Sequence, residues 1–257
     1  METAASAQDT LSTRDYPAVE NADQHSSSDE YARRFGGDVG NWMLAVQEDA
    51  LSSMLGPGVT TVLDVGGGHG QLAIPLITRQ KSVTILGSSH VCAARIQPLI
   101  DAGSVTFKVG NLIQLPFGSK SFDSVVSFRI MSHCTAWRTL IAEMCRVSSG
   151  SVVFDYPAWC SVNFLTPLLF SIKKKIEGNT RTYRIFTTRE LVDEFRRNGF
   201  QPAALRKQFF FPMGIHRAIN NVAISKVLEG AAKVLGLTRL FGSPIVISFK
   251  RITSDAA

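Results

Sequence analysis

The sequence lacks several features that would mark its class at sight. No apolar run approaches the ~20 residues that a membrane helix requires; the longest candidate, FLTPLLFSI, is short and interrupted by a proline. No basic-then-apolar signal pattern opens the chain. Together these absences lead us to expect a cytoplasmic protein. Cysteine is sparse: Cys92, Cys134, Cys145 and Cys160 among 257 residues. They form no CxxC pair and no ligand spacing, so we read four reduced thiols and expect no metal site. Basic and aromatic residues are not interleaved and no RNA-binding module is appended, so no specific nucleic-acid partner is expected. Internal repeats are absent, and the oligomeric state stays open.

What is present is an uneven charge. The formal net charge is +6, yet residues 1–30 hold seven acids against the single base Arg14. That segment is Ser-rich and poor in large apolar residues. It reads as a disordered acidic tail, because too little apolar surface offsets its ordering entropy. The basic remainder suits an anionic ligand or surface. Residues 31–257 read as one domain. A helical pattern over residues 31–55 is followed by alternating strands and helices. Strands are expected at 59–66, 82–87, 104–110, 121–129 and 151–157, with helices at 69–80, 89–103 and 135–147 between them. A further strand is expected at 204–212 and another at 243–251. This is the parallel α/β rhythm. We expect a Rossmann-like three-layer sandwich, with seven strands, mostly parallel, and one antiparallel edge strand.

The glycine loop in VLDVGGGHGQ (residues 62–71) carries the most information. A phosphate-binding P-loop needs a Gly-Lys-Ser/Thr ending, and no lysine is here. A dinucleotide fingerprint needs Gly-x-Gly-x-x-Gly, and its last position is Gln71. The loop is instead Gly66-x-Gly68-x-Gly70, with Asp64 two residues ahead. A carboxylate there disfavours a pyrophosphate and favours a cationic ligand without phosphate. S-adenosylmethionine, with an ammonium and a sulfonium, fits that description.

The ordered set VLDVGGGHG, NLIQLPFGSKSFDSVVSFRIMSH and WRTLIAEMCRV resembles the class I S-adenosylmethionine-dependent methyltransferases. It is most similar to the small-molecule branch that includes the ubiquinone and menaquinone C-methyltransferases. The likeness spans about residues 59–157. It implies that Asp64, Gly66, Gly68 and Gly70 line the methionine and ribose side of the cofactor. It implies adenine contacts at Asn111 and Leu112, and that Phe128 and Arg129 flank the sulfonium. Tyr31 and Arg34 would fold over the cofactor carboxylate, or lie on a plain surface helix. Two departures stand out. The family's ribose-binding acid at the end of strand two is Gly87, leaving Ser88 or Ser89 to hold a hydroxyl, and the acid ahead of the adenine contact is Asn111. They leave open a protein that binds cofactor without catalysis, or an NADP-binding oxidoreductase.

Methyl transfer needs positioning, and a base only where the acceptor must lose a proton. His133, just past strand four, is the candidate base, or else a structural histidine. Asp155 and Tyr156 end strand five, and Tyr156 is the candidate that orients the acceptor. His216 and Arg217 are more remote candidates. The Asn/Asp-Pro-Pro-Tyr box of base and amide methylation is absent, as are paired glutamates. Residues 158–186 read as a helical lid insertion, with Lys173, Lys174 and Lys175 after its apolar half. This lid points to a small hydrophobic acceptor and to peripheral contact with an anionic membrane.

Overall fold

β1 (Thr61–Val65) lies near the middle of the sheet, with β2 (Ser82–Gly87) on one side and β4 (Phe122–Ser127) on the other, all parallel. The computed structural model describes residues 19–159 and 183–252. β3 (Thr106–Val109), β5 (Ser148–Tyr156), β6 (Phe200–Phe209) and β7 (Ser243–Arg251) complete seven strands in the order β3-β2-β1-β4-β5-β7-β6. The reversed strand is β7, which runs antiparallel to both β5 and β6. It lies one strand in from the edge, which β6 forms.

The β-branched runs of the central strands alternate between two helix layers, as the period of two requires. Val62, Val83, Ile85, Val126 and Val153 pack against α3 (Gly37–Met54) and α4 (Ala73–Thr78). Leu63, Val65, Leu86, Val125 and Phe154 pack against α6 (Trp137–Val147) and α7 (Thr188–Arg197). Helix α6 buries Leu140, Ile141, Met144 and Val147, the stripe its spacing predicts. In α7 the side chain of Thr187 accepts from the Glu190 N–H and caps the helix. Phe195 of α7 stacks on Phe249 of β7 with ring centroids 3.9 Å apart. Each such buried ring contributes about 1.5–3 kcal/mol.

Four expectations shift, the first being the strand expected at 204–212, which is β6 at Phe200–Phe209. The helix expected at 69–80 begins only at Ala73, because Gly70 adopts a left-handed conformation that a helix interior excludes. The helix expected at 89–103 is a 3₁₀ turn (His90–Ile96) followed by α5 (Gln97–Asp101), whose first turn contains Pro98. Residues 19–30, taken as the end of a disordered tail, carry α1 (Ala22–Ser26) and begin α2 (Asp29–Arg33). Ala22, Asp23 and Ser26 are buried there. Most of the expected lid, with Lys173–Lys175, lies outside the described residues. The last helices, α8 (Met213–Ile219), α9 (Val222–Val234) and α10 (Leu237–Phe241), lead into β7.

Candidate active site

The C-terminal ends of β1, β2, β4 and β5 and the loops after them hold the polar groups that the core excludes. This is where an open α/β sheet places its ligand. Gly66 and Gly70, at φ 77° and 75°, bracket a single 3₁₀ turn over Gly67–His69. Only glycine takes that left-handed geometry without strain. The turn folds tightly over Asp64: a Cβ on Gly67 would lie 2.0 Å from Asp64 Oδ2. Asp64 is fully buried, and neither carboxylate oxygen has a hydrogen-bond partner among the described residues. Burial lifts its pKa to about 7, with the Arg129 charge pulling the other way. A buried carboxylate without a donor calls for a cation or a donor at that point.

Arg129 follows β4 with φ 65°, in the left-handed region that a non-glycine residue rarely enters. Its main-chain N–H donates to Asp155 Oδ1 at 2.6 Å. Its guanidinium donates to Gln47 and Gln71 and lies 4.0 Å over the Phe35 ring. Asp155 is buried, and burial raises its pKa to about 6 against the opposing pull of the Arg129 N–H and charge. His69 is kept neutral: burial, with the Arg129 charge adding to it, lowers its pKa to about 3.

Two clefts open beside this cluster. One, of about 290 Å³, is lined by Tyr31, Phe35, Arg129, His133, Asp155 and Tyr183, with Met213 and prolines at its rim. The other, of about 630 Å³, is lined by Tyr31, Glu48, His69, Gln71, Arg95 and Arg129 among others. Tyr31, Phe35 and Arg129 form the wall between them.

The structure thus brings Asp64, Gly66, Gly68, Gly70, Tyr31, Arg129 and His133 to one region. Gly87 ends β2, Ser88 follows it, and Asn111 and Leu112 follow the parallel strand β3, at the same C-terminal edge of the sheet. At Gly87 the missing acid has a steric reason: a Cβ would lie 2.8 Å from the Phe107 ring and 2.9 Å from Cys92 Cβ. Four expectations are corrected. The Tyr156 side chain turns into the core, 1% exposed, with its hydroxyl on Thr188 Oγ1 at 2.7 Å. Phe128 is buried on the α3 face of the sheet. Arg34 is exposed, its guanidinium 5.3 Å over the Tyr31 ring, and it lines neither cleft. His216 is buried against Glu229 at 3.0 Å and packs on Trp42, with Arg217 exposed beside it. Gln47, Gln71, Phe35 and Tyr183 join the site without a signal in the sequence.

The edge at Ser88 and Asn111 is filled by the chain itself. The Ser88 N–H donates to Asp23 Oδ2 at 2.7 Å, and Gln24 Nε2 donates to Ser88 Oγ at 3.3 Å. The Glu20 N–H donates to Asn111 Oδ1 at 3.2 Å, and the Thr135 N–H donates to Glu20 Oε2. Ala22 is buried and belongs to the same apolar cluster as Leu86, Leu112 and Ile130.

Residues 62–149 match the family described as "Methyltransferase domain". No curated protein matches the chain. Among solved structures it is similar to a possible histamine N-methyltransferase from Thermotoga maritima, at 18% identity and TM-score 0.62, covering 90% of this chain and 98% of that one. It is also similar to magnesium protoporphyrin IX methyltransferase from Synechocystis PCC 6803 with bound S-adenosylhomocysteine, at 18% identity and TM-score 0.56, with 87% and 93% covered. A third is geranyl diphosphate C-methyltransferase from Streptomyces coelicolor A3(2), at 18% identity and TM-score 0.60, with 81% and 79% covered. The chain therefore carries a methyltransferase domain at residues 62–149, set in the Rossmann-like fold of the S-adenosylmethionine-dependent methyltransferases.

Proposed function

We propose that this S-adenosylmethionine-dependent methyltransferase acts on a small, partly apolar acceptor bearing an O–H or N–H. The observation that carries the acceptor reading is the 290 Å³ cleft, where aromatic and proline walls surround the Asp155 carboxylate. The cofactor fits the residues present. Asp64, buried with two unpartnered oxygens, takes the ammonium. The loop from Gly66 to Gly70 gives the close backbone approach. Asn111 and Leu112 hold the adenine, and the Ser88 N–H and hydroxyl stand in for the acid that Gly87 cannot carry. When bound, S-adenosylmethionine supplies an electrophilic methyl carbon on a sulfonium.

The protein's own contribution follows from the geometry. Tyr31, Phe35 and Tyr183 exclude water from the acceptor. Asp155, with its pKa near 6, is mostly ionised at pH 7 and poised to take the acceptor proton. The Arg129 N–H fixes its carboxylate. His133 borders the same cleft beside Tyr183, ring centroids 5.8 Å apart, and orients the acceptor.

A hydrophobic acceptor also accords with FLTPLLFSI and with neighbours that handle magnesium protoporphyrin IX and geranyl diphosphate. The membrane-contact reading rests on Lys173–Lys175 alone. Flotation with anionic vesicles at low salt tests it, and absence of binding removes it. The acceptor reading is tested by screening small phenols, amines and isoprenoid alcohols with methyl-labelled S-adenosylmethionine. Label transfer to a compound of this class, lost in Asp155→Asn, is the expected result. Transfer only to RNA or protein overturns it.

A further inference from the structure

We propose that residues 20–27 are a displaceable plug, seated in the cofactor cleft and competing with S-adenosylmethionine for it. The inference rests on the assignment of Asp64, Ser88, Asn111 and Leu112 to that cofactor.

The segment reaches each of the positions assigned to the adenosine end. Its main chain meets Asn111 through the Glu20 N–H, so the amide oxygen meant for an adenine amine is already engaged. The same oxygen also accepts from the Ile113 N–H at 3.2 Å. Ala22, 1% exposed, is part of the same buried apolar cluster as Leu112. Asp23 engages the Ser88 N–H, and Gln24 engages the Ser88 hydroxyl. Over the glycine loop, a Cβ on Gly68 would lie 2.6 Å from Ser27 Oγ, and one on Gly66 would lie 3.3 Å from Asp23 Cβ. An adenosine and this segment therefore exclude each other.

The plug seals the cleft but does not satisfy it. Both oxygens of Asp64 beneath it are buried without hydrogen-bond partners among the described residues, and, the Ser88 N–H apart, the Asp23 carboxylate and Ser27 hydroxyl meet only the Cys92 thiol. Unmade hydrogen bonds on buried polar groups cost stability, so a ligand that makes them has the advantage. α1 is also only five residues long, too short to hold its shape unaided. The polar, Ser-rich composition that reads as a tail suits a segment that is stable both in the cleft and in water. A segment in place in nine molecules of ten weakens the apparent affinity about tenfold.

Hydrogen exchange on the intact chain, with and without S-adenosylhomocysteine, tests this directly. The expected result is that amides of residues 20–28 exchange at least tenfold faster with ligand, while those of Gly66–Gly70 slow. Unchanged or increased protection of residues 20–28 in the ligand complex overturns the plug and makes the segment part of the binding site. In a second arm, Ala22→Arg in the full chain places a large charged side chain where only a methyl fits. It is expected to bind S-adenosylhomocysteine at least tenfold more tightly, with the circular-dichroism melt showing a folded sheet. Equal or weaker binding by the folded variant overturns the plug alone. No binding by wild type or folded variant overturns the cofactor assignment with it.

Discussion

The main-chain N–H of Arg129, at the end of β4, donates to Asp155 Oδ1, at the end of β5, across 2.6 Å. This bond joins the two parallel strands at the mouth of the acceptor cleft and aims a buried carboxylate into it. Asp155→Asn keeps the shape and removes the base. Turnover is expected to fall 10²–10⁴-fold, the usual contribution of a general base. S-adenosylhomocysteine binding, measured by calorimetry, stays within about threefold, because Asp155 serves the acceptor cleft; a parallel loss of that binding would place it on the cofactor instead.

Stability should depend on pH through the same region. Asp64 and Asp155 have folded-state pKa values raised to about 7 and about 6, above the ordinary value of 3.8. A raised value means that their neutral forms favour the folded state. That contribution is complete below pH ~4 and is lost as pH rises through 6 and 7. The melting temperature of the ligand-free protein is expected to fall between pH 5 and 8. A shallower fall in Asp64→Asn, and a flat one when Asp155→Asn is added, measured by scanning calorimetry, identifies the two groups.

Gly87→Asp places at the end of β2 the acid that the family resemblance implies there, and it should fail. Its Cβ would meet Phe107 and Cys92 at 2.8 and 2.9 Å. Overpacking of this kind costs about 1–3 kcal/mol. The variant should melt lower, and pairing it with Phe107→Leu should recover part of the loss. Unchanged melting would show that the ring moves freely aside.

The buried His216–Glu229 pair should prove structural. Glu229 accepts from the Phe210 and Phe211 N–H groups and from His216 Nε2. Glu229→Ala leaves the buried His216 and the part-buried Phe210 and Phe211 N–H groups without their acceptor, at up to about 1–3 kcal/mol each before relaxation. The expected outcome is a lower denaturation midpoint with unchanged cofactor affinity.

The sequence was most legible where structure is local. Ser82–Gly87 and Ser243–Arg251 are strands over the spans their β-branched runs mark. The glycine loop and Asp64 are adjacent in the chain, so their partnership could be read directly. Tyr156 was mistaken for a site residue because strand parity decides the matter: Val153 and Asp155 face one side of β5, and Phe154 and Tyr156 the other. The position of β7 inside the sheet depends on long-range pairing, which no local pattern encodes. Residues 20–27 were hidden by their own composition, since a segment that docks through main-chain and carboxylate hydrogen bonds looks like a tail.

The central claim is that the glycine loop and Asp64 hold S-adenosylmethionine. Its most direct test is calorimetric titration of the purified chain with S-adenosylmethionine and S-adenosylhomocysteine, alongside Asp64→Asn and with NADPH as a control. The account predicts one-to-one binding of the first two by the wild-type chain, an affinity loss of tenfold or more in the variant, and no response to NADPH. Equal binding by wild type and variant, or a response to NADPH alone, would contradict it.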